Sequence, residues 1–120
     1  MIQYHPINIH TQGKKLNLPK GKYHIHIIGG WSVTENAFLV RFIRELDGET
    51  IHVSRASWPL QGFEFGKRSK RYFEFEIKQS GVYLVELIHP KTLVVKKSNL
   101  FPFNLLQKPV DNATLSILIF

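Results

Sequence analysis

The chain has no cysteine among its 120 residues, which excludes disulfide staples and thiol chemistry but says little about compartment. Its longest apolar stretches fall far short of the roughly 18 residues that would suggest a membrane-spanning helix. The amino terminus, Met1-Ile2-Gln3-Tyr4-His5-Pro6, has neither a basic start nor an apolar run. No signal peptide is therefore expected, and a full-length chain would be cytoplasmic. No apolar stripe recurs at helical spacing. The Gly-x-Ser-x-Gly elbow, the His-Glu-x-x-His helix and the phosphate-cradling glycine loop are all missing, so neither enzymatic activity nor a cofactor is expected. Acidic residues are few as well, nine Asp and Glu against sixteen Lys and Arg, a formal charge of +7. That surplus favours anionic partners in general, although most of the basic residues are dispersed and also serve solubility.

What the chain does have is enough apolar content, 43%, to fill one core at the usual size of a single domain spanning 1–120. The apolar period is two nearly throughout. Ile7 and Ile9 alternate with polar residues, as do Tyr23, Ile25 and Ile27, and Phe73, Phe75 and Ile77; Phe38, Val40 and Phe42 alternate with Leu39, Arg41 and Ile43. Val82 to Ile88 is apolar on both faces apart from Glu86, the pattern of a central strand. The expected fold is all-β, an antiparallel two-sheet sandwich of about eight strands. Asp47-Gly48 predicts a two-residue hairpin turn, which would pair Phe42 with Val53 and Ile43 with His52. Leu100 to Asn112, with Pro102 and Pro109, reads as a loop packed back on the body. Ala113 to Phe120 reads as a terminal strand whose Leu118 and Phe120 reach a second covered surface, a subunit interface in a homo-oligomer being one option.

Two segments echo each other: Gly21-Lys22-Tyr23-His24-Ile25-His26-Ile27 and Gly81-Val82-Tyr83-Leu84-Val85-Glu86-Leu87. Each glycine permits a tight turn, and each tyrosine can pack its ring inward while its hydroxyl reaches a backbone group near a sandwich corner. The run Phe73-x-Phe75-x-Ile77-x-x-x-Gly81-x-Tyr83-x-Val85-x-Leu87 resembles the core of jelly-roll accessory modules. These are the galactose-binding-like carbohydrate modules and related sandwich domains of secreted proteases and Golgi trafficking proteins. Leu18 to Tyr23, followed by Asp47-Gly48, is similar to the first half of such modules, and the likeness covers about half the chain. It implies a jelly-roll-like sandwich with a non-catalytic role in binding or assembly, the partner being a protein (another copy included) or a carbohydrate. It carries no functional residues across.

Three constellations bear on chemistry. Lys67-Arg68-Ser69-Lys70-Arg71 is the densest basic run and reads as a loop flanked by Trp58, Phe63, Phe65 and Tyr72. Lys67, Arg68, Lys70 and Arg71 would meet phosphates while rings stack on bases, the chemistry of a nucleic-acid or anionic-surface binder. The competing reading is a solvated hairpin whose phenylalanines point into the core. Trp31 and Trp58 sit in expected loops and would bind a sugar ring or a protein, or else cap an end of the sandwich. His24 and His26 share a strand face and are metal candidates; with a third ligand such as His10, His52 or Glu86 they would make the alternative reading, a metal-dependent enzyme of cupin type. Otherwise they are two solvated histidines. Glu74, Glu76 and Glu86 could gather on one outer face, where cross-strand ion pairs account for them better than acid–base catalysis.

Overall fold

A computed structural model describes residues 5–98, 100 and 103–120, so the readings at Met1–Tyr4 and Pro102 fall outside the described residues. Among the described residues twelve strand segments follow in order. β1 to β6 are Ile7–Asn8, Lys14–Leu18, Gly21–Ile28, Ser32–Thr34, Leu39–Arg44 and Thr50–His52. β7 to β12 are Ser54–Arg55, Gln61–Glu64, Lys67–Ile77, Gly81–Ile88, Val94–Lys96 and Ser116–Ile119. One sheet runs β1-β12-β3-β9-β7 with β8 also on β9, a second runs β2-β10-β5-β6, and β11 pairs with β4. The pairing is antiparallel throughout. The all-β sandwich is thus present. Its segments are more numerous and shorter than the apolar pattern implies, because the chain breaks at Val53 where it passes from one sheet (β6) to the other (β7).

The core follows the period of two. Tyr23, Ile25, Ile27, Phe73, Phe75 and Ile77 of the first sheet face Val40, Phe42, Tyr83 and Val85 of the second, with Phe38 just ahead of β5 beside them, all buried. Phe75 stacks on Tyr23 within its sheet and on Phe42 across the sandwich, at ring separations of 5.2 and 4.3 Å. Such offset pairs add to the area term that dominates burial. β10 is central in its sheet, as its double apolarity implies, with β2 and β5 on either side.

The echoed tyrosines do what their pattern suggests. Tyr23 donates its hydroxyl to the carbonyl of Pro19, and Tyr83 donates to the carbonyl of Gln79, each bond 2.6 Å and each four residues back. The two corners lie side by side: Gly21 pairs with Ile77, Gly81 pairs with Leu18, and the Lys20 amide donates to Ser80 Oγ at 2.7 Å. Both corners turn the chain from one sheet to the other, β2 to β3 and β9 to β10.

Four expectations are revised. The hairpin at Asp47-Gly48 pairs Phe42 with Ile51 and Ile43 with Thr50, a register two residues away from the predicted one. Only Gly48 of the pair has positive φ (74°), so the primed two-residue turn does not form and the loop takes in Glu45 to Gly48. Arg44 enforces this choice. Its guanidinium reaches Asp47 at 2.9 Å and Glu49 at 2.7 Å and donates to Tyr83 Oη at 3.2 Å. Because the slip is by two, Phe42 keeps its core face.

The basic run 67–71 is no loop. It opens β9, and the turn lies just before it at Phe65-Gly66, where φ is 53° and 76°. Those angles make a two-residue hairpin of the primed type joining β8 to β9. In Leu100 to Asn112 the second half docks, Val110 N donating to Val95 O at 2.7 Å, whereas Leu100, Leu105 and Leu106 are exposed. Finally, Leu118 is fully buried within the single chain, so it has no surface to offer a second copy.

Candidate functional site

β9 carries a bulge that organises both sites. Ile25 pairs with Phe73 but His26 pairs with Arg71, leaving Tyr72 as the extra residue. Tyr72 and Phe73 are therefore both buried, edge to face at 4.9 Å. The bulge also reverses the alternation. Downstream, odd-numbered Phe73, Phe75 and Ile77 point inward; upstream, odd-numbered Arg71 lies on the outer face beside His24 and His26, whose charged forms it disfavours.

The same edge of β9 is used twice, by β7 below the bulge and by β8 above it. Between them the chain is pinned at both ends: Ala56 N donates to Tyr72 O and Arg71 N donates to Leu60 O, each at 2.9 Å. The three residues between the pins, Ser57-Trp58-Pro59, have no strand to join and bow outward. Pro59 contributes no N–H and holds Trp58 out of the helical region. The indole of Trp58 is consequently 79% exposed.

Trp58 stands at a cleft of about 600 Å³ on the outer side of the first sheet. Its other walls include Lys22 and His24 of β3, Glu74 and Glu76 of β9, His52, Ser54 and Ser57. The register pairs His24 with Glu74 and Lys22 with Glu76 across the two strands. Glu74 is held in place: Oε1 accepts the Ser57 hydroxyl at 3.0 Å, and Oε2 lies 3.8 Å from His24 Nε2. Partial burial and Arg71 push the His24 pKa below its ordinary value, and Glu74 opposes them. A neutral imidazole, a carboxylate and hydroxyls beside an ammonium offer both donors and acceptors to a polar ligand.

The second tryptophan lies elsewhere. Gly29-Gly30 lets the chain after β3 run against β11, so closely that a Cβ on Gly30 would sit 2.2 Å from Lys96 O. Trp31 then covers one end of the sandwich, donating from its indole nitrogen to Gly62 O at 3.2 Å. Arg68 lies over its ring at 4.4 Å and donates to Lys97 O at 2.7 Å, and Phe63 meets it edge-on at 5.4 Å. Trp31 is thus a half-buried cap, with its polar tip satisfied. Beside it, Phe63, Lys67, Arg68 and Lys97 with Gly29, Gly66, Val110 and Thr114 line a pocket of about 490 Å³.

The four predicted cations do not form one patch. Strand alternation carries Arg68 to Trp31, whereas Arg71 lies beside the histidines, and Lys70 pairs in register with Gln61. Trp31, Lys67 and Arg68 come together; Trp58 does not join them. Phe63 and Phe65 are 65% and 60% exposed, outside the core.

The two histidines also part. His24 is half-exposed, whereas His26 is 7% exposed beneath Phe120, their rings 4.3 Å apart. Neither ring nitrogen of His26 has a hydrogen-bond partner among the described residues, and Glu64 stays 3.9 Å away. Burial first, then Arg71 and His24, lower the His26 pKa to about 4. The suggested third ligands are scattered: His10 is bonded to Asn112, Glu86 to Arg41, and His52 lines the Trp58 cleft. Among the described residues no three of His, Asp or Glu converge on a metal-holding position. No described helix is long and apolar enough to cross a membrane. Glu74, Ser57 and Lys97 were not singled out for binding by the sequence pattern, because their roles depend on the bulge, the pinned loop and the Gly29-Gly30 approach. No protein-family model, curated protein or solved structure matches the chain.

Proposed function

We propose that the protein is a non-catalytic binding module that holds a sugar unit of an oligosaccharide in the cleft beside Trp58. The observation that carries this reading is the 79% exposed indole, pinned in place by the Ala56 and Leu60 backbone bonds, at the mouth of a cleft with polar walls. A sugar ring has an apolar C–H face and a polar rim. The electron-rich face of an indole suits the first, and Glu74, His24, His52 and Ser57 can exchange hydrogen bonds with the second. The cleft volume falls in the range of small-ligand sites. The resemblance of the Phe73 to Leu87 run to jelly-roll carbohydrate modules supports the same class of role.

The test is a panel of neutral oligosaccharides, with binding followed by calorimetry and by tryptophan emission. A hit should lose at least about tenfold in affinity in Trp58→Ala, as for a central aromatic anchor, and a smaller factor in Glu74→Gln. If no glycan binds, or if Trp58→Ala binds as well as the parent, the proposal fails.

A further inference from the structure

The β8–β9 hairpin holds a feature that its own folding does not call for. Phe65 occupies the first position of a primed turn at φ 53°. Asn, Asp or Gly is favoured there, and a bulky residue at positive φ is strained. The strain is not repaid by burial, since the Phe65 ring is 60% exposed. Two residues earlier Phe63 is 65% exposed as well, its ring standing edge-on to Trp31. Strain retained beside exposed side chains points toward function.

Charge accompanies the rings. The pocket under Phe63 is lined by Lys67, Arg68 and Lys97, with no Asp or Glu among its described lining residues. Arg68 is fixed by Trp31 and the Lys97 carbonyl, so it forms a rigid wall, while Lys67 and Lys97 are exposed. Two solvent-facing aromatic rings two residues apart, bordered by cations, match a strand of stacked bases with its phosphates alongside. An isolated anion would use the lysines and leave both rings idle. A duplex would hide its base faces.

We propose that the tip of the β8–β9 hairpin binds single-stranded nucleic acid, with bases stacked on Phe63 and Phe65 and phosphates met by Lys67 and Lys97. This site is separate from the Trp58 cleft and does not depend on it.

The experiment is fluorescence anisotropy of a labelled 15-nucleotide oligo(dT) titrated with the full chain over a series of salt concentrations. Two phosphate contacts give a slope of about −1.4 in log K against log salt. Phe63→Ala should weaken binding by about 5- to 150-fold, and Lys67→Glu with Lys97→Glu should remove most of the salt slope. Phe65→Asn separates strain from folding: it should raise Tm by about 3–5 °C by relieving the turn while weakening oligo(dT). These outcomes support the site. The proposal is overturned if inorganic polyphosphate or a duplex of equal length competes as well as unlabelled oligo(dT). It is equally overturned if Phe63→Ala and the double lysine variant bind like the parent.

Discussion

His26 ties the stability of the fold to pH, and the size of the effect can be worked from its surroundings. The ring is enclosed, packed on Phe120, without a hydrogen-bond partner, and faced by Arg71 from β9, His24 from its own strand and Glu64 from β8. Its pKa in the folded chain is about 4, against about 6.5 in an unfolded one. Between those values the unfolded chain binds the extra proton, so stability rises with pH and is lost as pH falls. Above pH 6.5 the residue contributes no pH dependence, and below about 4 its cost is complete. At about 1.4 kcal/mol per pH unit across that window, the full cost is about 3 kcal/mol.

The perturbation is His26→Phe, which keeps a ring against Phe120 and removes the titration. Urea unfolding of parent and variant at intervals from pH 7.5 to 3.5 gives the difference in stability, in which the carboxylates common to both largely cancel. The parent should fall behind the variant progressively below pH 6.5, by about 3 kcal/mol at the acid end. Two parallel curves would refute the reasoning, and would mean that His26 takes up its proton as readily in the folded chain as in the unfolded one.

The remaining expectations concern the frame. Tyr83→Phe should cost about 2–3 kcal/mol in urea unfolding, because the fully buried oxygen both donates to Gln79 and accepts from Arg44. Tyr23→Phe, at the neighbouring corner, removes the donor to the Pro19 carbonyl and should cost about 1 kcal/mol; unchanged stability would show that this bond adds nothing. Gly30→Ala forces a Cβ against the Lys96 carbonyl and should destabilise by about 2–3 kcal/mol. It should also perturb the near-ultraviolet circular dichroism of Trp31, and an unchanged spectrum with unchanged stability would show that the two backbones can part cheaply.

The strands and the twin tyrosine corners were legible in the sequence because each rests on local chemistry. Alternation of Tyr23, Ile25 and Ile27 against polar neighbours fixes a face, and a tyrosine two residues after a turn glycine has one corner within reach of its hydroxyl. The hairpin register was not legible. Asp-Gly promises a two-residue turn, but Arg44 finds two carboxylates and a tyrosine hydroxyl only if the loop is longer, and that gain involves Tyr83, far away in sequence. The Phe65-Gly66 turn was hidden for the opposite reason, since phenylalanine argues against the conformation it adopts. Nothing in the apolar pattern marks the bulge, because Tyr72 and Phe73 are both suited to the core. Once the bulge is missed, Arg71 falls on the wrong face. Of the site residues, Trp58 could be read from its place before proline, but its polar neighbours come from three separated segments.

The extra residue at Tyr72 makes this stretch of chain tolerant of changed letters but not of changed length. Without it, the segment before it would rotate by half a turn of the pleat. Arg71 would then be driven toward the interior, Lys70 toward the outer face, and the amide and carbonyl that pin Ala56 and Leu60 would no longer fall on one edge. A single-codon deletion at this point would therefore disturb the cleft beside Trp58 and the cap that Trp31 makes with Arg68 together. Sequence drift can alter either surface alone, whereas a slip in reading length here alters both at once.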